Sequence, residues 1–272
     1  MKQGKRIGVV VMGVLLIEGA ALMGISVLSS GNKVCGGMEE SSRSGWTDTE
    51  RPDSGRTEDK TDDGTGKQKD DQGRVEKEVR KIYEKNKKLL VLVNRKKELP
   101  ESYQASLRSI CGGRLKASDE LYDSLVDMLD AASEEGYGYW IASAWRSREK
   151  QQKLVDEDVR VAMQKGMSQE QALEETYKET MPAGHSEHET GLALDILCSG
   201  NMAMNQSQEK EPGNVWLRKN SWRYGFILRY PKDKKSVTGI NYEPWHFRYV
   251  GKKAATYMHK HDLTLEEFWE ML

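Results

Sequence analysis

The sequence predicts one α+β domain, from about residue 75 to the C-terminus, with helices on one side of a small antiparallel sheet. Segments with helical spacing of apolar residues and short apolar runs typical of strands follow one another irregularly, without the regular strand–helix–strand order of a parallel sheet. The first third of the chain lacks the pattern of a hydrophobic core. We therefore place the folded domain in residues 75–272, and we find no internal repeat in it.

The predicted domain begins with a helix, because Val75, Val79 and Ile82 recur at helical spacing. Residues 89–93 then form a short apolar run that ends at Asn94. Capping residues, glycine stops and apolar periodicity define the elements that follow. They are a helix capped at Ser118 and ended by Gly136, a strand over 139–144, a helix to about Met163, a short helix with a Ser168–Gln171 capping box, a strand over 191–197, a helix capped at Asn214 and ended by Gly225, strands over 226–230 and 242–250, and a last helix with a Thr264–Glu267 capping box.

The N-terminus has the pattern of a membrane segment. Residues 7–28 are apolar except for Glu18, which is long enough to cross a hydrocarbon core of about 30 Å. Lys2, Lys5 and Arg6 precede this stretch and favour a cytoplasmic N-terminus, with the rest of the chain outside. The alternative is a cleaved signal peptide, but its apolar region would span only about 7–15 residues. We expect residues 1–30 to form a cytoplasmic stub and a single-pass anchor, and whether it is cut stays open.

Residues 31–74 are rich in Ser, Thr, Asp, Glu, Lys and Gly, with Trp46 as their only aromatic residue. Such a composition cannot bury enough apolar surface to offset the loss of chain entropy, so it predicts a disordered linker. The formal net charge of −1 and the lack of a large basic patch in the sequence argue against nucleic acid as a partner.

Three cysteines, Cys35, Cys111 and Cys198, allow one bridge in a chain expected to lie outside the cytoplasm. Cys111 and Cys198 are the only pair within the predicted domain. A bridge between them and two buried thiols are both compatible with the sequence.

The stretch from Ser186 to Asp195, SEHETGLALD, places an imidazole and a carboxylate beside small residues. In a strand over 191–196, Asp195 shares its face with Gly191 and Ala193. This nearly empty face leaves room for a metal ion and a substrate. A structural aspartate on a core strand would be costly to bury without a partner.

A second carboxylate and imidazole, Glu243 and His246, lie three residues apart around Pro244. Pro244 forces Glu243 out of helical geometry. An ideal strand would send the two side chains to opposite faces, so a shared site requires a kink or bulge near Pro244.

Two histidines and one carboxylate, here His188, Asp195 and His246, are a typical ligand set for catalytic zinc, with a fourth position open for water. A carboxylate that is not a ligand can take the proton of the attacking water, and Glu243 is the candidate for that role. A fixed positive donor must stabilise the oxyanion, and Arg146 at the end of a predicted strand is placed to supply it.

These motifs, together with Ser143-Ala-Trp-Arg-Ser147 and the segments 224–231 and 246–251, resemble those of VanY-type D-alanyl-D-alanine carboxypeptidases over roughly residues 89–272. The resemblance implies a zinc peptidase with the fold shared by lysostaphin-like and D-Ala-D-Ala metallopeptidases and the hedgehog domain. The implied activity is removal of the C-terminal D-Ala from peptidoglycan stem peptides or their precursors, which can contribute to glycopeptide resistance. The site residues it implies are zinc on His188, Asp195 and His246, Glu243 as base, Arg146 polarising the scissile carbonyl, and Ser186 and Gln151 as contacts to the terminal residue.

Trp145 departs from the resemblance, because the family more often has Tyr before the arginine. Trp245, between Glu243 and His246, is the candidate pocket wall. Arg229 and Arg248 fit either a substrate carboxylate or a structural pair. We expect His185 in a loop or on the substrate side, and His259 and His261 on the surface.

Three alternatives remain at this level. An L,D-carboxypeptidase acting on tetrapeptides differs in the configuration of the residue before the cleaved bond and in pocket shape, and no single residue decides between the two. A non-catalytic wall-binding module would keep zinc without cutting, although the presence of Glu243 and Arg146 argues against it. An endopeptidase acting on cross-links or on L-Ala-D-Glu is the third.

Overall fold

The computed structural model describes residues 65–272, with side chains described from residue 73. The predicted anchor and most of the predicted linker lie outside this range. Within it, no helix combines the length and apolar character needed to cross a membrane. The first helix begins upstream of the predicted domain start at residue 75.

The chain from residue 65 onwards forms eight α-helices and six strands. The helices are α1 Thr65–Asn86, α2 Tyr122–Glu134, α3 Arg148–Gln164, α4 Gln169–Thr176, α5 Pro212–Asn220, α6 Lys235–Thr238, α7 Lys252–Lys260 and α8 Leu265–Glu270. The strands are β1 Leu107–Ile110, β2 Leu115–Ser118, β3 Tyr139–Ser143, β4 Ala193–Cys198, β5 Phe226–Leu228 and β6 His246–Tyr249.

The central sheet has the strand order β3-β4-β6-β5, and every neighbouring pair is antiparallel. The predicted α+β class with a small antiparallel sheet is confirmed. The hairpin of β1 and β2 forms a separate two-stranded sheet that the sequence pattern did not predict.

The main core lies between the central sheet and the helices α2 and α5. Leu194 and Ile196 of β4 are fully buried in it, in the same cluster as Leu125 and Met128 of α2. Because side chains alternate along a strand, Asp195 projects to the opposite face of β4. A second core joins α1, α7 and α8 through Val79, Ile82, Ala254, Met258 and Phe268.

The two capping boxes are confirmed: Ser168 with Gln171 begins α4, and Thr264 with Glu267 begins α8. The predicted cap at Asn214 is wrong, because α5 begins at Pro212 after Glu211, and Asn214 instead donates from its side-chain amide to the Pro244 carbonyl at 2.6 Å.

The cap predicted at Ser118 is also wrong, and the structure decides between the two alternatives that the sequence left open for Cys111 and Cys198. Ser118 precedes a short 3-10 turn, Asp119–Leu121, and its hydroxyl bonds to Glu120 rather than capping α2. Cys198 is a buried free thiol, so the Cys111–Cys198 bridge does not form.

Candidate active site

The antiparallel register of β4 and β6 places Asp195 directly opposite His246, and β3 brings Ser143 opposite Asp195. His188 precedes β4 in a short 3-10 turn, Glu187–Thr190. His188 Nε2 lies 3.3 Å from Asp195 Oδ2, and His246 Nδ1 lies 3.4 Å from Asp195 Oδ1. One potential ligand atom from each of the three side chains falls within 4.8 Å of the others. They are close enough to bind one ion.

The turn before β4 depends on Gly191, whose φ of 74° lies in the left-handed region that favours glycine. A Cβ on Gly191 would also lie 3.0 Å from the backbone nitrogen of Ser118. The turn directs His188 toward the sheet, where its Nδ1–H donates to the Ala144 carbonyl at 2.7 Å. This hydrogen bond leaves the lone pair on Nε2 free to bind a metal ion.

The kink expected near Pro244 is present. The backbone N–H of His246 donates to the Glu243 carbonyl at 3.3 Å, and the Trp245 carbonyl accepts from Ile196 at 2.8 Å. This turn brings Glu243 Oε2 to 3.3 Å from His246 Nδ1. Glu243 and His246 therefore share one site although three residues separate them.

The carboxylates of Glu187, Asp195 and Glu243 lie 3.3–3.8 Å from the ring nitrogens of His188 and His246. Burial raises the pKa of Glu243 to about 7. Burial opposes ionisation of Asp195, but the adjacent imidazole of His188 outweighs it and lowers the aspartate pKa to about 2. Burial likewise opposes the charged form of His246, but the carboxylates of Glu187 and Glu243 outweigh it and raise the histidine pKa to about 9. Burial lowers the pKa of His188. A cation would be stabilised in these surroundings.

The donor set fits zinc. Two imidazole nitrogens and one carboxylate oxygen are its usual ligands in catalytic sites. Asp195 Oδ1 is buried and has no hydrogen-bond partner within the described residues, and leaving such an oxygen unpaired is costly. A bound metal ion would remove that cost, so His188, Asp195 and His246 would hold it.

Arg146 lies beside this cluster and is held on two sides. Its guanidinium donates to the Gln151 side-chain oxygen at 2.8 Å and to the Ser143 hydroxyl at 3.0 Å. The Gln151 amide nitrogen in turn donates to the Met181 carbonyl at 2.6 Å, and Gln151 is buried. Gln151 therefore links Arg146 to the Met181 backbone and orients the guanidinium.

Arg146 also lines a cavity of about 530 Å³ between the segment 99–103 and the start of α3. Trp145, Tyr103 and Glu149 form other parts of its wall. Trp245 is half-buried and does not line this cavity, and Ser186 is buried beside His188. Arg146 is half-buried and faces this cavity.

The remaining histidines are not members of the metal cluster. His185 donates from Nδ1 to the Asn94 carbonyl at 2.8 Å in a loop. His259 is exposed and stacks on Trp222. His261 is exposed beside Tyr257.

Arg229 and Arg248 are fully buried and bind protein groups, which supports the structural alternative for this pair. Both donate to Glu187, a residue that sequence reasoning did not single out. Burial opposes the charge on Glu187, but the two guanidinium groups outweigh it and hold its pKa well below the usual range. The position of Glu187 next to His188 was the one sequence signal that could have identified it.

Comparison with known proteins agrees with this site. Residues 114–252 match the VanY family model, described as D-alanyl-D-alanine carboxypeptidase. A D-alanyl-D-alanine carboxypeptidase of Enterococcus faecalis (strain ATCC 700802 / V583) is 39% identical over 179 residues, which span 66% of this chain and 65% of that protein, slightly less than two thirds of its length.

Two solved structures have the same fold. The vancomycin resistance D,D-pentapeptidase VanY (E175A mutant), solved in complex with Zn(II), aligns with a TM-score of 0.61 and 38% identity over 67% of this chain and 99% of that chain. The LD-carboxypeptidase LdcB aligns with a TM-score of 0.58 and 35% identity over 68% of this chain and 86% of that chain.

Proposed function

Because the chain belongs to the VanY family of D-alanyl-D-alanine carboxypeptidases, we propose that it is a zinc-dependent D,D-carboxypeptidase that releases the C-terminal D-Ala from peptidoglycan stem peptides. The observation that carries this proposal is the meeting of His188, Asp195 and His246 within 4.8 Å, with a fourth side chain, Glu243, 3.3 Å from His246. Three ligands and a separate carboxylate are the components of a metallopeptidase site.

His188, Asp195 and His246 would hold the zinc ion, which would act as a Lewis acid and lower the pKa of water toward about 7. The residues around it perform the remaining tasks. Glu243, nearly enclosed, takes the proton of the attacking water and passes it to the leaving amine of D-Ala. Arg146 donates to the oxygen of the scissile carbonyl as negative charge develops there.

The fixed position of Arg146 supports its role. Ser143 and Gln151 each accept one hydrogen bond from it, so the guanidinium is oriented before a substrate arrives. A preorganised donor stabilises a developing oxyanion without the cost of reorienting during the reaction. The roles of Ser186 and Trp245 in binding the terminal D-Ala remain part of this proposal.

We predict that Arg146→Met lowers kcat/KM for D-Ala release by about 10²–10³-fold, the usual loss when one oxyanion donor is removed. Zinc content should stay unchanged, because Arg146 is not among the three grouped ligands. The matched control is Arg160→Met on α3, where the exposed Arg160 donates hydrogen bonds to Glu157. Steady-state kinetics on a D-Ala-D-Ala peptide measures the effect, and full activity in Arg146→Met would contradict the role.

The proposed function is tested by incubating the zinc-loaded protein with a pentapeptide that ends in D-Ala-D-Ala and following free D-Ala by mass spectrometry. We expect release of one D-Ala per peptide, loss of release after chelation, and recovery on adding zinc. Absence of release from the zinc-loaded protein would refute the proposal.

An L,D-carboxypeptidase is the second candidate, favoured by the 35% identity with LdcB. It would release D-Ala from a tetrapeptide, where the preceding residue has L configuration. Running the tetrapeptide beside the pentapeptide distinguishes the two, since each enzyme should prefer its own substrate by a large ratio of kcat/KM.

We also propose that the enzyme acts outside the cell from a single membrane anchor at residues 7–28. The apolar composition of these residues and the preceding Lys2, Lys5 and Arg6 support this topology. Membrane fractionation of the full chain, compared with a chain lacking residues 1–30, tests it. A full chain found entirely in the soluble fraction would exclude an intact anchor.

A further inference from the structure

We infer that Glu187 is a positioning residue for His246: its second carboxylate oxygen accepts a hydrogen bond from the Nε2–H of His246, which keeps the proton on Nε2 and leaves Nδ1 free to bind zinc. The inference rests on the zinc site proposed above. It extends that site to a residue outside the ligand set and outside the acid–base chemistry.

The geometry that carries it is a pair of facing atoms. Glu187 Oε2 lies 3.8 Å from His246 Nε2. Both atoms are buried, and neither has a hydrogen-bond partner within the described residues. The separation exceeds a hydrogen bond by about 0.8 Å, so a small rotation of the ring toward Glu187 would close it.

Glu187 is held rigidly enough to orient a ring. Its other oxygen, Oε1, accepts from Arg229 Nε at 2.8 Å and from Arg248 Nη1 at 2.7 Å. Both guanidinium groups are fully buried. A carboxylate fixed by two charge-assisted hydrogen bonds has one oxygen left, and that oxygen points at His246.

The two arginines are themselves fixed by segments outside the residues that match the family model, 114–252. Arg248 donates to the carbonyls of Leu89 and Val91, both at 2.9 Å. Arg229 forms two bonds to Glu266 of α8, at 2.7 and 2.8 Å. The contacts that fix Glu187, and through it His246, therefore reach the segment 89–91 near the start of the domain and α8 near its end.

Such outer contacts usually determine which ring nitrogen of a ligating histidine carries its proton. In Glu187→Gln the amide oxygen can keep the hydrogen bonds from Arg229 and Arg248. The opposite orientation of the amide is disfavoured, because it would set the NH₂ group against the N–H donors of both arginines. The amide N–H₂ then replaces Oε2 and donates toward His246 Nε2. The proton of His246 must move to Nδ1, which blocks the ligand atom while the shape of the site is preserved.

The test compares zinc dissociation constants of the wild-type protein, Glu187→Gln and Glu266→Gln, by competition with a chromophoric chelator. Glu266→Gln is the matched control, since it removes a buried charge from the same network without facing His246. We expect zinc binding to weaken by about 10–100-fold in Glu187→Gln and to change by less than about twofold in Glu266→Gln. Melting curves of the metal-free proteins report whether each variant is folded.

Equal zinc affinity in wild type and Glu187→Gln overturns the inference, and so does an equal loss in both variants, which would indicate a purely structural network. If Glu187→Gln does not fold, the wild-type zinc protein labelled with ¹⁵N-histidine decides: His246 Nε2 must carry a proton that exchanges slowly, with exposed His259 as the reference. An unprotonated Nε2 overturns the inference. Failure of the wild type to bind zinc would instead refute the proposed function.

Discussion

Replacing Glu243 with glutamine is expected to lower kcat for D-Ala release by about 10²–10⁴-fold, the usual contribution of a general base. Glutamine preserves the size of the side chain but cannot accept the proton of the attacking water. Glu243 lies 3.3 Å from His246 Nδ1 and is nearly enclosed, so no bulk base can reach the same position readily. Zinc content measured by atomic emission should match that of the wild type.

The matched control for this variant is Glu174→Gln, an exposed position on α4. It should leave D-Ala release unchanged. Loss of zinc in Glu243→Gln would make Glu243 a ligand, and wild-type kcat with normal zinc content would assign the base elsewhere.

Asp195→Ala is expected to abolish zinc binding and, with it, D-Ala release to background. Asp195 is the central member of the cluster, because it lies 3.3 Å from His188 and 3.4 Å from His246. Removing it leaves two imidazoles and no anionic ligand, which is too few donors for a stable catalytic zinc site.

Isothermal titration of the metal-free variant with zinc gives the direct measurement, and Asp156→Ala on the exposed side of α3 is the control. Both proteins should have the same far-ultraviolet circular dichroism. Stoichiometric, tight zinc binding by Asp195→Ala would require a different ligand set.

Local patterns in the sequence were sufficient to predict part of this site. Small residues beside Asp195 indicated an open position next to a carboxylate, but β4 keeps only Ala193 on that face, because Gly191 lies in the left-handed turn before the strand. The proline at 244 required a break between Glu243 and His246, and the turn there supplies it. Each of these inferences used residues within four positions of one another.

The parts that sequence reasoning missed depend on distant contacts. Glu187 contacts Arg229 and Arg248, which lie 42 and 61 residues further along the chain. No periodicity or motif spacing in the sequence indicates contacts over such separations. Asn214 had the composition of a helix cap, but its hydrogen bond to the Pro244 carbonyl thirty residues away takes precedence. The β1–β2 hairpin was missed because most of its residues are exposed or half-buried, so its hydrophobic alternation is weak.

The ion pairs behind His246 determine how short a working fragment of this enzyme can be. A recombinant piece limited to residues 114–252 would keep every proposed ligand and the base, yet it would lose the Leu89 and Val91 carbonyls and the Glu266 carboxylate. The buried guanidinium groups of Arg229 and Arg248 would then lack these hydrogen-bond and ion-pair partners, which would destabilise the fragment by several kcal/mol. Truncation boundaries for crystallisation or inhibitor screening should therefore run from before Leu89 to beyond Glu266.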